Sequence, residues 1–220
     1  MSGPTVAALL AGGTGTRLGA QVPKQLLRLA GKEILAHTLD VFDGCGAVDE
    51  IYLFMPGEHI SAAEALIARY GYRKVRRVSP GGPSRDASAR AAIAALDGYP
   101  PDTKLLVHDA VRPLVDVTTV TDCVAALDDV DAVTVAVPST DTIVTVAATG
   151  DGELVDTIPD RSSLRRCQTP QGFRLWLLAQ AHAAAVADDE FTPTDDCGVV
   201  RRYIPGAPIA VVPGSEHNVK

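Results

Sequence analysis

The sequence predicts an α/β fold, a three-layer sandwich around a mainly parallel sheet, with one β-hairpin projecting from it. Three observations carry that reading. Short apolar runs alternate with longer segments whose apolar residues recur three and four apart, the pattern of βαβ units. A glycine-rich stretch, LAGGTGTRLGAQVPKQLL, follows the first apolar run, where an open α/β sheet places a phosphate loop. Past Pro138 the rhythm breaks into two β-rich pieces around ATGDG, a hairpin signature.

Strands are expected at residues 5–11, 50–55, 74–79, 104–109 and 131–137. Between them, 34–42, 61–70, 84–96 and 117–127 carry helical periodicity. After the hairpin at 140–158, helices are expected at 173–187 and 192–204, the second capped by Thr194 or Asp195, and a last strand at 208–214. No internal repeat or linker intervenes, so residues 1–220 read as one domain with 139–163 as an inserted arm. Such an arm has little core of its own, so its apolar positions are expected to pack against a second subunit, giving a homodimer.

Composition removes several function classes. With 220 residues, 46% of them hydrophobic, the chain can bury a substantial core. Its 20 basic and 27 acidic residues give a net charge of −7, which argues against a nucleic-acid or anionic-membrane surface. A phosphate ligand must therefore meet a few placed cations. Cys45, Cys123, Cys167 and Cys197 form no CxxC or Cys/His cluster, which argues against structural zinc or a disulfide scaffold and for a reduced, cytoplasmic protein. The start, MSGPTVAALLAGG, lacks a basic n-region and a long apolar run, so neither a signal peptide nor a membrane span is expected.

The first loop suits a polyphosphate, because Gly12, Gly13, Gly15 and Gly19 let successive N–H groups approach an anion. It is neither of the two familiar phosphate loops: Leu18 stands where the dinucleotide fingerprint needs glycine, and no Gly-Lys-Ser/Thr follows. That failure disfavours a nicotinamide dehydrogenase. Arg17 and Lys24 instead suit a phosphorus centre that gains negative charge, a device that a nucleotide-sensing module would not need.

This loop resembles the signature loop of the sugar-phosphate and polyol-phosphate cytidylyltransferases, a branch of the nucleotidyltransferases with a GT-A-like fold. The resemblance continues in order through GGPSRDAS (81–88), VHDAVRP (107–113), DTIV (141–144), IPDRSSLRRCQTPQGF (158–173), TDDC (194–197) and HNVK (217–220). It implies transfer of CMP from CTP to a polyol phosphate, with release of pyrophosphate. The nucleophile would be an existing phosphate oxygen, largely ionised at neutral pH, so no general base is required.

The resemblance assigns roles residue by residue. Arg17 and Lys24 would stabilise the α-phosphate in the transition state; Ala11, Gly12, Gly13, Gly15 and Thr16 would line the nucleotide. Gly81 and Gly82 through their backbone, and Ser88 through its hydroxyl, would meet cytosine and ribose. Asp109, at a strand end, would hold Mg²⁺ or another divalent cation. Arg112, Thr140, Thr169, Thr194 and Lys220 would surround the acceptor, and Arg161 would reach the neighbouring subunit's acceptor phosphate. Ser84 is a helix cap, Arg85 receives no role beyond structure, and His37 and His108 lack metal-spaced partners. Two acceptors share these motifs, 2-C-methyl-D-erythritol 4-phosphate and D-ribitol 5-phosphate. The forms LAGGTGTRLG, DTIV and TDDC favour the ribitol type. The family pattern continues past its Asn-x-Lys motif into a Thr/Asp-containing segment and a closing helix, whereas this sequence stops at Lys220.

Overall fold

The computed structural model describes residues 3–12, 23–188, 191 and 193–220. Strand β1 (Thr5–Leu10) is buried along its whole length, and its alternation feeds both faces of a sheet. Ala7 and Leu9 join one apolar cluster, while Val6, Ala8 and Leu10 join another on the opposite side. A short hairpin, β2 (Arg28–Leu29) and β3 (Lys32–Glu33), turns through Ala30 and Gly31 at φ of 50° and 84°, the positive values a two-residue turn requires. It leads into α1 (Ile34–Gly44), which buries Leu35, Leu39 and Phe42.

The alternation then proceeds as the periodicity predicts: β4 (Glu50–Met55), α2 (Ile60–Tyr70), β5 (Val75–Pro80), α3 (Arg85–Ala95), β6 (Lys104–Asp109), α4 (Val117–Ala126) and β7 (Ala132–Pro138). Gly71, at φ 72°, closes α2 as a left-handed cap. Helices α1, α2 and α4 cover the face carrying Ala7 and Leu9. The fully buried Leu35, Leu39 and Phe42 there each contribute about 1.5–3 kcal/mol relative to exposure.

The hairpin β8 (Thr145–Thr149) and β9 (Gly152–Thr157) is a separate two-stranded sheet, exposed throughout. Next comes a strand that the periodicity did not predict, β10 (Arg165–Arg174). It runs antiparallel between β6 and β7, so the seven-stranded sheet has the order β11-β7-β10-β6-β1-β4-β5 with every other pairing parallel. The chain closes with α5 (Leu175–Ala185), α6 (Asp196–Tyr203) and β11 (Ile209–Pro213). Helices α3, α5 and α6 cover the second face. Residues 173 and 174, expected to open a helix, belong to β10 instead. Of the two caps considered for α6, Asp195 serves, accepting the Gly198 N–H at 2.8 Å. No helix among the described residues is long and apolar enough to cross a membrane.

Candidate active site

The parallel strands β1, β4, β5 and β6 all point their carboxyl ends at one edge, and the turn between β5 and α3 folds over it. Ser84 caps α3 by accepting the Ala87 N–H at 3.0 Å. One turn on, the Ser88 hydroxyl accepts the Gly82 N–H at 3.1 Å and donates to the Ser84 carbonyl at 3.0 Å, fixing the turn's shape. A Cβ on Gly82 would stand 2.3 Å from the Cβ of Ala87, and one on Gly81 3.1 Å from the Ser88 hydroxyl. Gly12, beyond β1, faces the same hydroxyl. Ala11 is tied to β4 through its N–H and the Phe54 carbonyl, 2.7 Å apart, and the fully buried Gln25 donates its amide to the Ala11 carbonyl.

Asp109 ends β6 at the centre of this edge, almost wholly buried. Its Oδ2 lies 3.1 Å from Lys220 Nζ and 3.2 Å from Arg112 Nε, while Oδ1 lies 3.9 Å from Arg85 Nε. Burial opposes ionisation of this carboxyl, yet the Lys220 and Arg85 charges outweigh it and hold the group below the ordinary carboxylate range. The Asp109 N–H donates to the Thr169 hydroxyl at 3.1 Å, and that hydroxyl also shares a hydrogen bond with His108 Nδ1 at 3.1 Å. His108 is entirely buried, which pushes its pKa down to about 4 and leaves the ring neutral.

The C-terminal tail is stitched onto β10. Asn218 Nδ2 donates to the Thr169 carbonyl at 2.9 Å, and its own carbonyl accepts from Arg112 Nη1 at 2.9 Å. These bonds deliver Lys220 to Asp109. Arg161 donates to the Thr140 carbonyl at 3.2 Å at the exposed root of the hairpin, and Thr194 is exposed just before the cap of α6. The edge thus offers a glycine turn that permits close backbone approach on one side and, around a single carboxylate, three cations on the other. Such a surface suits phosphate groups.

The family model described as 2-C-methyl-D-erythritol 4-phosphate cytidylyltransferase matches residues 5–220. The chain belongs to that family. Its members are CTP-dependent cytidylyltransferases, and this chain is such an enzyme. A cytidylyltransferase of this name from Thermobifida fusca is 50% identical over 97% of the chain and 86% of its own length. One from Bifidobacterium longum is 42% identical over 99% of the chain and 75% of its own. The crystal structure of 4-diphosphocytidyl-2C-methyl-D-erythritol synthase from Anaerococcus prevotii superposes with a TM-score of 0.85 at 26% identity, covering 99% of this chain and 90% of that one.

These findings correct the preference for D-ribitol 5-phosphate. The bifunctional ribulose 5-phosphate reductase/CDP-ribitol pyrophosphorylase of Haemophilus influenzae is only 38% identical, and the chain spans 44% of it. Of the motifs that favoured the ribitol type, DTIV leads into the exposed hairpin and TDDC caps α6. Their structural roles do not depend on which polyol carries the acceptor phosphate.

Of the residues singled out for this cytidylyltransferase, Gly12, Gly81, Gly82 and Ser88 converge on one turn, while Asp109, Arg112, Thr169 and Lys220 converge on one carboxylate. Lys24 opens a short 3-10 turn, Lys24–Leu26, directly before the buried Gln25. Gly13, Gly15, Thr16, Arg17 and Gly19 lie outside the described residues. Sequence reasoning missed Asp196, His182 and Gln171, and gave Arg85 no chemistry. Nothing in TDDC marks Asp196 as buried: Asp195 caps the helix, and an acid at the first turn is equally at home on an exposed face. No group of three or more His, Cys, Asp or Glu that could hold a metal occurs among the described residues. Asp109 supplies one hard-oxygen carboxylate; Lys220 and Arg112 occupy its Oδ2, which leaves Oδ1 as the donor for a divalent cation shared with phosphate oxygens rather than caged by protein.

Proposed function

We propose that the protein joins CTP to 2-C-methyl-D-erythritol 4-phosphate, giving 4-diphosphocytidyl-2-C-methyl-D-erythritol and pyrophosphate. The observation that carries this reading is the convergence of Lys220, Arg112 and Arg85 on Asp109 beside the Gly81–Gly82 turn. Relatives up to 50% identical, named for this acceptor, support its identity.

In the proposed reaction an acceptor phosphate oxygen attacks the α-phosphorus of CTP; a new P–O bond forms, and the bond to the bridging oxygen of pyrophosphate breaks. A phosphate with a second pKa near 6 arrives ionised, so these residues have charge to manage rather than a proton to remove. Lys24 and Arg17 meet the charge growing on the α-phosphate. Gly12, Gly81 and Gly82 hold the base and ribose against their backbone, on the turn that Ser88 shapes. Lys220 and Arg112, anchored by Asp109, grip the acceptor phosphate, with Thr140, Thr169 and Thr194 around its polyol. Asp109 would hold a divalent cation, whose chemistry there would be to neutralise the leaving pyrophosphate. The whole chain acts as one catalytic domain, and the 139–163 arm pairs two copies so that Arg161 serves the neighbouring site.

Pyrophosphate release from CTP and Mg²⁺, with 2-C-methyl-D-erythritol 4-phosphate and D-ribitol 5-phosphate offered separately, tests this. Turnover is expected with the erythritol phosphate; turnover with ribitol phosphate alone would overturn the proposal.

A further inference from the structure

Arg85 lies between two carboxylates. Its Nη1 is 2.7 Å from Asp196 Oδ2, its Nε is 3.9 Å from Asp109 Oδ1, and its Nη2 is buried with no hydrogen-bond partner among the described residues. Asp196, 1% exposed, faces His182 Nε2 at 3.0 Å and donates its N–H to Gln171 Oε1 at 3.2 Å. His182, 3% exposed, places Nδ1 3.3 Å from Asp86 Oδ1, and Asp86 also pairs with Arg90. A line of charged and polar groups, Asp86, His182, Asp196, Arg85 and Asp109, therefore runs from α3, α5 and α6 to the site, hydrogen-bonded from His182 through Asp196 to Arg85 and within ion-pair distance at its two ends. Apolar residues of similar volume often pack as stably as a buried ion pair. The line calls for a reason other than stability.

We propose that Asp196, oriented by His182, is a positioning residue that holds Arg85 back from Asp109, leaving Asp109 to anchor Lys220 and Arg112. The inference rests on the reading that Lys220 and Arg112 grip the acceptor phosphate. Asp196→Asn keeps the shape and removes the charge. Arg85 then has one carboxylate left, closes on Asp109, and displaces the two cations that belong there.

The expected result is a fall of about tenfold or more in kcat/KM for 2-C-methyl-D-erythritol 4-phosphate, with KM for CTP unchanged within about twofold, since misplacing a group by about an ångström costs up to about a hundredfold. Adding Arg85→Gln removes the misplaced cation and recovers most of the loss relative to the Arg85→Gln single variant, a coupling that only contacting residues give. Calorimetric titration of the acceptor phosphate into the CTP-free protein is expected to show the same weakening without turnover.

The added positive charge by itself has the opposite sign and would tighten phosphate binding. A lowered acceptor KM in Asp196→Asn therefore overturns the inference, as does a double variant no better than the single one. General damage to the fold would raise both KM values and would not be relieved at position 85. If Asp196→Asn does not accumulate folded, the same comparison is made with His182→Leu, which removes the Nε2 donor that orients Asp196. Wild-type protein that ignores the erythritol phosphate refutes the functional reading. An active wild type with an unaffected Asp196→Asn refutes this inference alone.

Discussion

At His108, burial decides the chemistry. The ring lies 4.9 Å from that of Phe42, and its Nδ1 shares a hydrogen bond with Thr169, so a proton there would be a charge with no water near it. An unfolded histidine titrates near 6.5, whereas this one does so at about 4. Between those values the unfolded chain binds a proton that the fold excludes. The contribution to stability is complete above pH 6.5 and is lost progressively as the pH falls toward 4, up to about 3 kcal/mol in all. Urea unfolding followed from pH 7.5 to 4.5 is expected to show this loss, and His108→Gln to flatten the curve above pH 5; identical slopes in both proteins would contradict it. At this scale the sequence was informative where residues sit in contiguous motifs. Asp109, Arg112, Thr169 and Lys220 all lie in such stretches, and all meet at one carboxylate. Arg85 and Asp196 lie in motifs too, but their pairing spans 111 positions, and nothing local announces it.

Strand β10 is the strand of the main sheet that the sequence concealed, as it did the short β2–β3 hairpin. A buried strand normally reads as an apolar run, but Arg165 to Arg174 buries Gln168, Thr169 and Gln171, and Pro170 interrupts the ladder. The register shift between Gln168 and Gln171 accommodates that proline, and the buried polar groups find partners in Ser215, His108 and Asp195. Hydrogen bonds thus do in β10 what apolar side chains do in β1 and β6, and hydrophobic periodicity cannot register them. Gly172 is the tight point: a Cβ there would lie 2.8 Å from Val133 Cγ2, 2.9 Å from Leu106 Cδ2 and 3.0 Å from Leu127 Cδ1. Gly172→Ala is accordingly expected to destabilise the protein by about 1–3 kcal/mol in urea unfolding through overpacking, with an unchanged midpoint as the contrary result.

For the whole molecule, the layer sandwich was legible because strand and helix periods alternate cleanly as far as β7. The hairpin announced itself by the turn signal in ATGDG and by the change of period. Its apolar side chains Ile143, Val144, Val146, Leu154, Val155 and Ile158 each expose between 42% and 66% of their surface, and the proposed dimer rests on that exposure. The proposed dimer is expected to give a two-chain mass by light scattering, reduced to one chain by Leu154→Glu with Val155→Glu. Mixing inactive Arg161→Ala and Lys24→Ala chains is expected to restore part of the activity, and no restoration would contradict sharing of sites.

The strand order also sets a sequence of assembly. β6, β1, β4 and β5 are all complete by Asp109 and can pair among themselves, but within the sheet of the described residues β7 pairs only with β10 and β11. When β7 leaves the ribosome it has no place in the sheet until β10, made some thirty residues later, has been laid against β6. A growing chain can therefore finish the edge that carries Gly12, Gly81, Gly82 and Ser88 while Thr169, Asp196 and Lys220 are still unmade. The half proposed to hold the nucleotide can be present, for part of every synthesis, without the half proposed to receive its acceptor.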